Sequence, residues 1–111
     1  MKAYGYILTA AAALLMTFAQ ADAQRLVILH TNDTHSQIDP VRVGRSKGLG
    51  GIERRLQYIN EVREQYGRRK VLLLDGGDYN QGTPYFTVSR GDLEIELVKA
   101  LRYDVATLGN H

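Results

Sequence analysis

Three short segments of the chain carry the side chains that could do chemistry. They are Asp33-Thr34-His35, Gly77-Asp78 and Gly109-Asn110-His111. Carboxylate, amide and imidazole groups bind hard or borderline divalent ions, and the chain contains no cysteine that would favour a softer metal. The donor set therefore predicts a site for Mn, Zn, Fe or a similar divalent ion.

The spacing within the segments bears on how such a site could be built. Asp33 and His35 are two residues apart, and in an extended segment their side chains point the same way and can share one ion. Asp78 follows two glycines that permit a sharp turn, and its two oxygens could bridge two cations. Taken singly, each segment is more typical of an ordinary turn or cap. Taken together, they could hold two ions about 3.5–4 Å apart for an in-line displacement at phosphorus.

The elements that must position these segments are three strands and two helices. Continuous apolar runs at 26–29 and 71–74 predict buried strands, with the first covered on both faces, and residues 105–108 predict a third, shorter strand. Apolar residues at helical spacing predict a helix over 52–66, which ends at Gly67. A second helix, capped by Asp92, presents one apolar face, formed by Leu93, Leu97, Val98 and Leu101.

The order strand, helix, strand, helix, strand predicts an α/β fold with a parallel sheet and helices on its faces. In such sheets, ligands bind at the edge where the carboxyl ends of the strands meet. Each of the three segments follows one strand, so we expect them to converge in space. His30 ends the first strand, and we expect it to be a packed or hydrogen-bonded structural residue.

Other classes of function fit the sequence poorly. The chain has 14 basic and 12 acidic residues and a formal net charge of +2, with no long basic stripe that would indicate a nucleic-acid partner. Arg68-Arg69-Lys70 is expected to be a solvated turn. A dinucleotide-binding loop is excluded, because Gly48-Leu49-Gly50-Gly51 lies far from the preceding strand and Glu53 stands where that pattern needs glycine. A P-loop is excluded as well, because no Gly-Lys-Ser/Thr occurs. No protein partner is indicated.

The first 23 residues have the pattern of a signal peptide. A basic start is followed by an apolar region over 6–18, and Ala21-Asp22-Ala23 fits a cleavage site, with Ala19-Gln20-Ala21 as an alternative. The apolar run is shorter than the ~20 residues that span a bilayer. We therefore expect a mature chain over 24–111 that is exported to the periplasm or the medium, with no membrane anchor after cleavage.

At these residues the chain resembles a known family. The matching stretches are 29–36 (LHTNDTHS), 73–78 (LLDGGD) with 81–84 (QGTP), and Tyr103-Asp104 with 108–111 (LGNH). They resemble the 5′-nucleotidase branch of the calcineurin-like metallophosphoesterases. That branch includes UDP-sugar hydrolases and 2′,3′-cyclic-nucleotide phosphodiesterases. The resemblance implies that residues 24–111 are the N-terminal βαβαβ part of this family's α/β sandwich.

The resemblance also implies a role for each candidate residue. Asp33 and His35 would bind a first metal, Asp78 would bridge both, and Asn110 would bind the second. His111 would be the catalytic histidine that steadies the leaving group or the transition state. The cofactors would be two divalent ions, with Mn, Zn, Co, Fe and Mg all open. A metal-activated water would attack phosphorus in a nucleotide or another small phosphate ester.

The chain also departs from the family pattern. Family members continue past Asn-His to an acidic residue that orients the histidine, then to three further metal-binding histidines and a separate nucleoside-binding domain. None of these is present in residues 1–111, so we expect a truncated part of a longer enzyme. Two alternatives remain at this point: the chain alone is inactive with partial metal binding, or it completes its site with a second chain.

Overall fold

The computed structural model describes residues 25–111, and the predicted signal peptide lies outside this part of the chain. Its elements are strands β1 (Val27–Thr31), β2 (Val71–Asp75) and β3 (Val105–Ala106), and helices α1 (Ile52–Tyr66), α2 (Pro84–Ser89) and α3 (Asp92–Leu101). A short 3-10 turn over Arg68–Lys70 leads into β2. Among the described helices, none is long and apolar enough to cross a membrane.

The three strands form a parallel sheet in the order β1-β2-β3, as the sequence predicts. Val27 pairs with Val71 at one end of β1, and Thr31 pairs with Asp75 at the other. The third strand is shorter than predicted, because only Val105 and Ala106 pair with β2. The predicted α/β fold is confirmed.

Both long helices pack on the same face of the sheet. Ile59 of α1 and Leu101 of α3 form the core with Leu73 of β2, which is 1% exposed. Strand order and handedness explain this arrangement, since two right-handed crossovers that advance in the same direction place both helices on one side.

The other face of the sheet is open within residues 25–111. Ile28 is 55% exposed and Val105 is 58% exposed, and His30 lies on the same exposed face. The expectation that β1 is covered on both faces is therefore wrong for this part of the chain, and His30, which was expected to be packed or hydrogen-bonded, is exposed here. An apolar run predicts a strand, but it does not say which neighbours the strand has.

The helix ends agree with the sequence-based predictions only in part. Gly67 ends α1 with a positive φ of 86°, and its amide donates to the carbonyl of Arg63, as expected for a glycine stop. Asp92 does not cap α3 as predicted, because Gly91 is the N-cap and Asp92 is the first helical residue. Helix α2 was not predicted; Pro84 stands at its first turn, where a missing amide hydrogen costs nothing.

Candidate functional site

The loops after β1 and β2 run side by side beyond the end of the sheet. The amide of Asp33 donates to the Gly77 carbonyl at 3.0 Å, and the amide of His35 donates to the Asp78 carbonyl at 3.0 Å. One residue further, the amide of Ser36 donates to the Tyr79 carbonyl at 2.9 Å. This hydrogen-bond ladder continues the strand pairing into the two loops, so the backbone fixes the distance between them.

The ladder brings three predicted ligands together. Asp33, His35 and Asp78 can each offer one ligand atom, and these atoms all lie within 4.8 Å of one another. The Nε2 atom of His35 lies 3.8 Å from a carboxylate oxygen of Asp33. Asp33 and His35 on the first loop and Asp78 on the second loop thus converge, as predicted from their positions after neighbouring parallel strands.

All three donor residues have left-handed backbone conformations, with φ of 51° at Asp33, 44° at His35 and 53° at Asp78. Aspartate and histidine tolerate this region better than most residues, but it is sparsely populated. Backbone strain of this kind concentrates at functional sites, where surrounding contacts hold it in place.

The imidazole of His35 is oriented by a backbone carbonyl. Its Nδ1 atom lies 3.2 Å from the carbonyl oxygen of Asn80. When Nδ1 carries the proton and donates it to this oxygen, Nε2 is left with a free lone pair facing Asp33. This is the usual arrangement of a metal-binding histidine, whose second ring nitrogen is held by an oxygen acceptor.

A hydrogen-bond chain behind the site supports the turn that carries Asp78. The carboxylate of Asp75 is 5% exposed, and it accepts from the hydroxyl of Thr31 at 2.6 Å and from the amide of Gly77 at 2.8 Å. Because the single Thr31 proton points to Asp75, the hydroxyl of Tyr103 donates to Thr31, at 2.7 Å. The sequence analysis assigns no role to these hydrogen-bonded residues, although the position of Asp75 at the end of a buried strand is a signal that the sequence contains.

The loop after β3 contacts the loops that carry Asp78 and His35. The amide of His111 donates to a carboxylate oxygen of Asp78 at 3.0 Å. The imidazole rings of His111 and His35 meet edge to face, with centroids 5.4 Å apart and planes at 68°. Asn110 is exposed on this loop between two residues that contact Asp78. The loop is therefore at the predicted site, while the metal roles of its side chains stay predictions.

Close packing of the loops depends on two glycines. At Gly77, which has a φ of 101°, a Cβ atom would lie 2.9 Å from backbone atoms of Leu108 and Gly109. At Gly109 a Cβ atom would overlap the carboxylate of Asp78. Because glycine has no side chain at these two positions, the third loop can approach the second loop closely enough to contact Asp78.

A three-stranded parallel sheet whose strand-end loops gather two carboxylates and two imidazoles belongs to the class of α/β proteins with ligand sites at that edge. Within this class, residues 26–111 match the family described as calcineurin-like phosphoesterase. The chain belongs to this family, which confirms the family predicted from the motifs.

Relatives of the chain include proteins named 5'-nucleotidase. The chain is 41% identical over 97 residues to 5'-nucleotidase from Homo sapiens, covering 82% of this chain and 17% of that protein. It is 41% identical over 96 residues to snake venom 5'-nucleotidase from Crotalus adamanteus, covering 82% of this chain and 16% of that protein. The chain thus spans about a sixth of the length of these relatives.

Solved structures of similar proteins agree with the fold. NAD nucleotidase from Haemophilus influenzae superposes with a TM-score of 0.69 at 32% identity, covering 78% of this chain and 16% of that one. The 5'-nucleotidase precursor from Thermus thermophilus superposes with a TM-score of 0.65 at 38% identity, covering 78% and 17%. The part of this chain that superposes thus corresponds to about a sixth of each of these larger chains.

Proposed function

We propose that this chain is the N-terminal part of an exported, metal-dependent phosphoesterase that hydrolyses phosphate esters of nucleotides. The observation that carries the proposal is the convergence of Asp33, His35 and Asp78, with ligand atoms within 4.8 Å of one another, in a calcineurin-like phosphoesterase fold. The names of the relatives support nucleotides as the substrate class.

The residues present fit a divalent ion. Two carboxylates and an imidazole are the donors that Mn, Zn and Fe accept, and His35 Nδ1 lies 3.2 Å from the Asn80 carbonyl, so Nε2 can be the ligand atom. Asp33 and His35 would hold the first ion, and Asp78 would be shared with a second ion that Asn110 also binds. When bound, two ions would supply charge neutralisation at the phosphoryl group and activation of water.

His111 would act on the substrate. Its backbone is tied to Asp78 and its ring packs edge to face against His35, so the imidazole stands beside the proposed ion site. A histidine there can hold a proton near the ester oxygen and stabilise the leaving group. The role fits the position of His111 at the end of the third loop.

The proposal is tested with the protein expressed from its complete gene. AMP, UDP-glucose and a chromogenic phosphate ester are supplied with Mn²⁺, and hydrolysis is followed with and without a chelator. We expect chelator-sensitive release of phosphate or nucleoside monophosphate. No metal-dependent turnover of any of the three would refute the function.

A pair of histidine variants makes the test specific to the site. His111→Gln is expected to reduce kcat by about 10²–10⁴-fold, the usual contribution of a positioned acid or base. His30→Gln is the matched control, because His30 is exposed on β1, and it should retain activity. Metal content measured by elemental analysis should be two ions per chain in the wild type and in both variants.

Export is tested separately. If the chain begins with a signal peptide, the protein recovered from the periplasm or the medium should begin at Gln24 when cleavage follows Ala23, or at Asp22 when it follows Ala21, as measured by mass spectrometry. Recovery of the uncleaved chain from the cytoplasm alone would contradict export without touching the catalytic proposal.

A further inference from the structure

A small cavity lies between α3 and the loop that carries Asp33 and His35. Its volume is about 30 Å³, and its polar lining includes Ser36 from the loop and Glu94 from the first turn of α3. Both of these residues are 3% exposed. The cavity therefore lies between helix α3 and Ser36, the residue that directly follows His35. The sequence analysis assigns α3 no role beyond its apolar face.

Each of the two buried residues has an oxygen without a hydrogen-bond partner. The Oγ atom of Ser36 and the Oε1 atom of Glu94 are both buried and unpartnered. The other carboxylate oxygen of Glu94 accepts from the hydroxyl of Ser89 at 2.9 Å. Glu94 is thus anchored at one oxygen, while the second oxygen lacks a partner.

Leaving buried polar atoms unsatisfied is costly, and native proteins commonly satisfy them with ordered water. A buried water needs two to four polar partners and a cavity of at least ~10–15 Å³. The cavity meets the size requirement, and the hydroxyl and the carboxylate offer one donor and one acceptor. A water can accept a hydrogen bond from the Ser36 hydroxyl and donate a hydrogen bond to the Glu94 carboxylate.

Arg55 is the competing partner, because its side chain lines the same cavity. Among the ion pairs between residues 25 and 111, however, none joins Arg55 to Glu94. The orphaned carboxylate oxygen is therefore left to a small polar molecule within the cavity.

We propose that an internal water molecule bridges the Ser36 hydroxyl and the Glu94 carboxylate, and that Glu94 is thereby a positioning residue for the loop that holds His35. Backbone contacts already hold Ser36 on two sides, since its amide donates to Tyr79 at 2.9 Å and its carbonyl accepts from Thr83 at 2.8 Å. The water adds a side-chain tie to α3. The positioning role, but not the water itself, rests on the proposed metal site.

The water is tested by a high-resolution crystal structure of the protein expressed from its complete gene. We expect a density peak within hydrogen-bonding distance of both Ser36 Oγ and Glu94 Oε1, and its loss in Glu94→Leu. An empty cavity, or the Arg55 guanidinium in contact with Glu94, would overturn the proposal.

The positioning role is tested by titrating Mn²⁺ calorimetrically. Glu94→Leu is expected to weaken Mn²⁺ binding about tenfold, as is typical for outer-shell partners of metal ligands, whereas Glu94→Gln keeps the hydrogen bonds and should bind nearly as the wild type. Glu96→Leu, at an exposed position of the same helix, is the control. Equal affinities in the wild type and Glu94→Leu, or equal weakening in Glu94→Gln and Glu94→Leu, would refute the role.

The test still decides the proposal if Glu94→Leu does not fold or if the wild type binds no Mn²⁺. If Glu94→Leu does not fold, Ser36→Ala removes the other hydrogen-bonding group with a smaller change, and the same tenfold loss is expected. If the wild type binds no Mn²⁺, the proposed metal function fails, and the density in the cavity still decides whether the water is present.

Discussion

The backbone amide of His111 donates a hydrogen bond to Oδ1 of Asp78 at 3.0 Å. The carboxylate proposed to bridge two ions thus also anchors the third loop of the site. The proposed metal binding and the position of the candidate catalytic histidine therefore depend on the same side chain, and variants at Asp78 can separate the two roles.

Asp78→Asn keeps an oxygen acceptor for the His111 amide but removes the negative charge. We expect Mn²⁺ affinity to fall by more than ~100-fold while hydrogen-exchange protection of the His111 amide is retained. Asp78→Ala should lose both, because no acceptor remains. Calorimetry and hydrogen-exchange mass spectrometry measure the two effects, and wild-type affinity in Asp78→Asn would contradict the assignment of Asp78 as a ligand.

Gly109→Ala tests the close approach of the second and third loops. A Cβ at this position would overlap the carboxylate of Asp78 and lie 2.6 Å from its backbone nitrogen, so the loop must shift. We expect a loss of about 1–3 kcal/mol in the free energy of unfolding, typical of overpacking, together with weaker metal binding.

Gly48→Ala is a control for a loss of stability that occurs without a clash. Gly48 has a φ of 79°, whereas Gly109 has no positive φ, and no atom lies within 4 Å of the added Cβ, so this substitution adds only backbone strain, at about 1 kcal/mol. Its metal affinity should be unchanged. Loss of metal affinity in Gly48→Ala but not in Gly109→Ala would show that contact with Asp78 is not the cause.

Thr31→Val removes the hydroxyl that links Tyr103 to Asp75 without changing the shape of the side chain. The Asp75 carboxylate then loses one partner in a buried setting, and we expect a loss of about 1–3 kcal/mol in the free energy of unfolding. Tyr103→Phe leaves the bond between Thr31 and Asp75 intact and should cost less. Urea unfolding compares the two, and a larger loss in Tyr103→Phe would contradict this order.

Asp104 makes the stability of the fold depend on pH. A hydrogen bond from the Arg68 guanidinium, and a second from the amide of Leu73, hold the pKa of the Asp104 carboxyl below its ordinary value. The lowered pKa in the folded state means that the contribution is complete above the unfolded pKa of ~3.9 and is lost as the pH falls through the folded pKa.

Thermal unfolding between pH 2.5 and 7 measures this contribution. Asp104→Asn should lower the stability near pH 7 by about 1 kcal/mol, and the gap to the wild type should begin to narrow below about pH 4 and close as the pH falls through the folded pKa. Arg69→Gln is the control, since the ion pair of Asp104 is made by Arg68. A gap that persists unchanged at pH 2.5 would rule out ionisation of Asp104 as its origin.

The sequence predicts the strand order and the convergence of Asp33, His35 and Asp78, because hydrophobic runs fix strands and parallel strands end at one edge. It does not reveal that Glu94 is buried, since a charged residue in an amphipathic helix is ordinarily assigned to solvent. Nor does it identify the carbonyl of Asn80 as a partner of His35, because backbone contacts between loops leave no mark on side-chain type.

Helix α2 and the open face of the sheet show the same limit. A six-residue helix has too few turns to give a periodic signal. The exposure of Ile28 follows from where the crossovers run, which is a property of the assembled sheet and not of the residues in β1.

The paired loops after β1 and β2 have a consequence for how this site could be altered. Three amide-to-carbonyl bonds, from Asp33, His35 and Ser36, set the spacing of the donors, and none of them involves a side chain. The side chains of Asp33 and His35 can therefore be exchanged, for example His35 for aspartate, without moving the positions from which they project. We therefore expect that the ion preference of the proposed site can be changed by single substitutions at these two positions while the backbone of the two loops keeps its geometry.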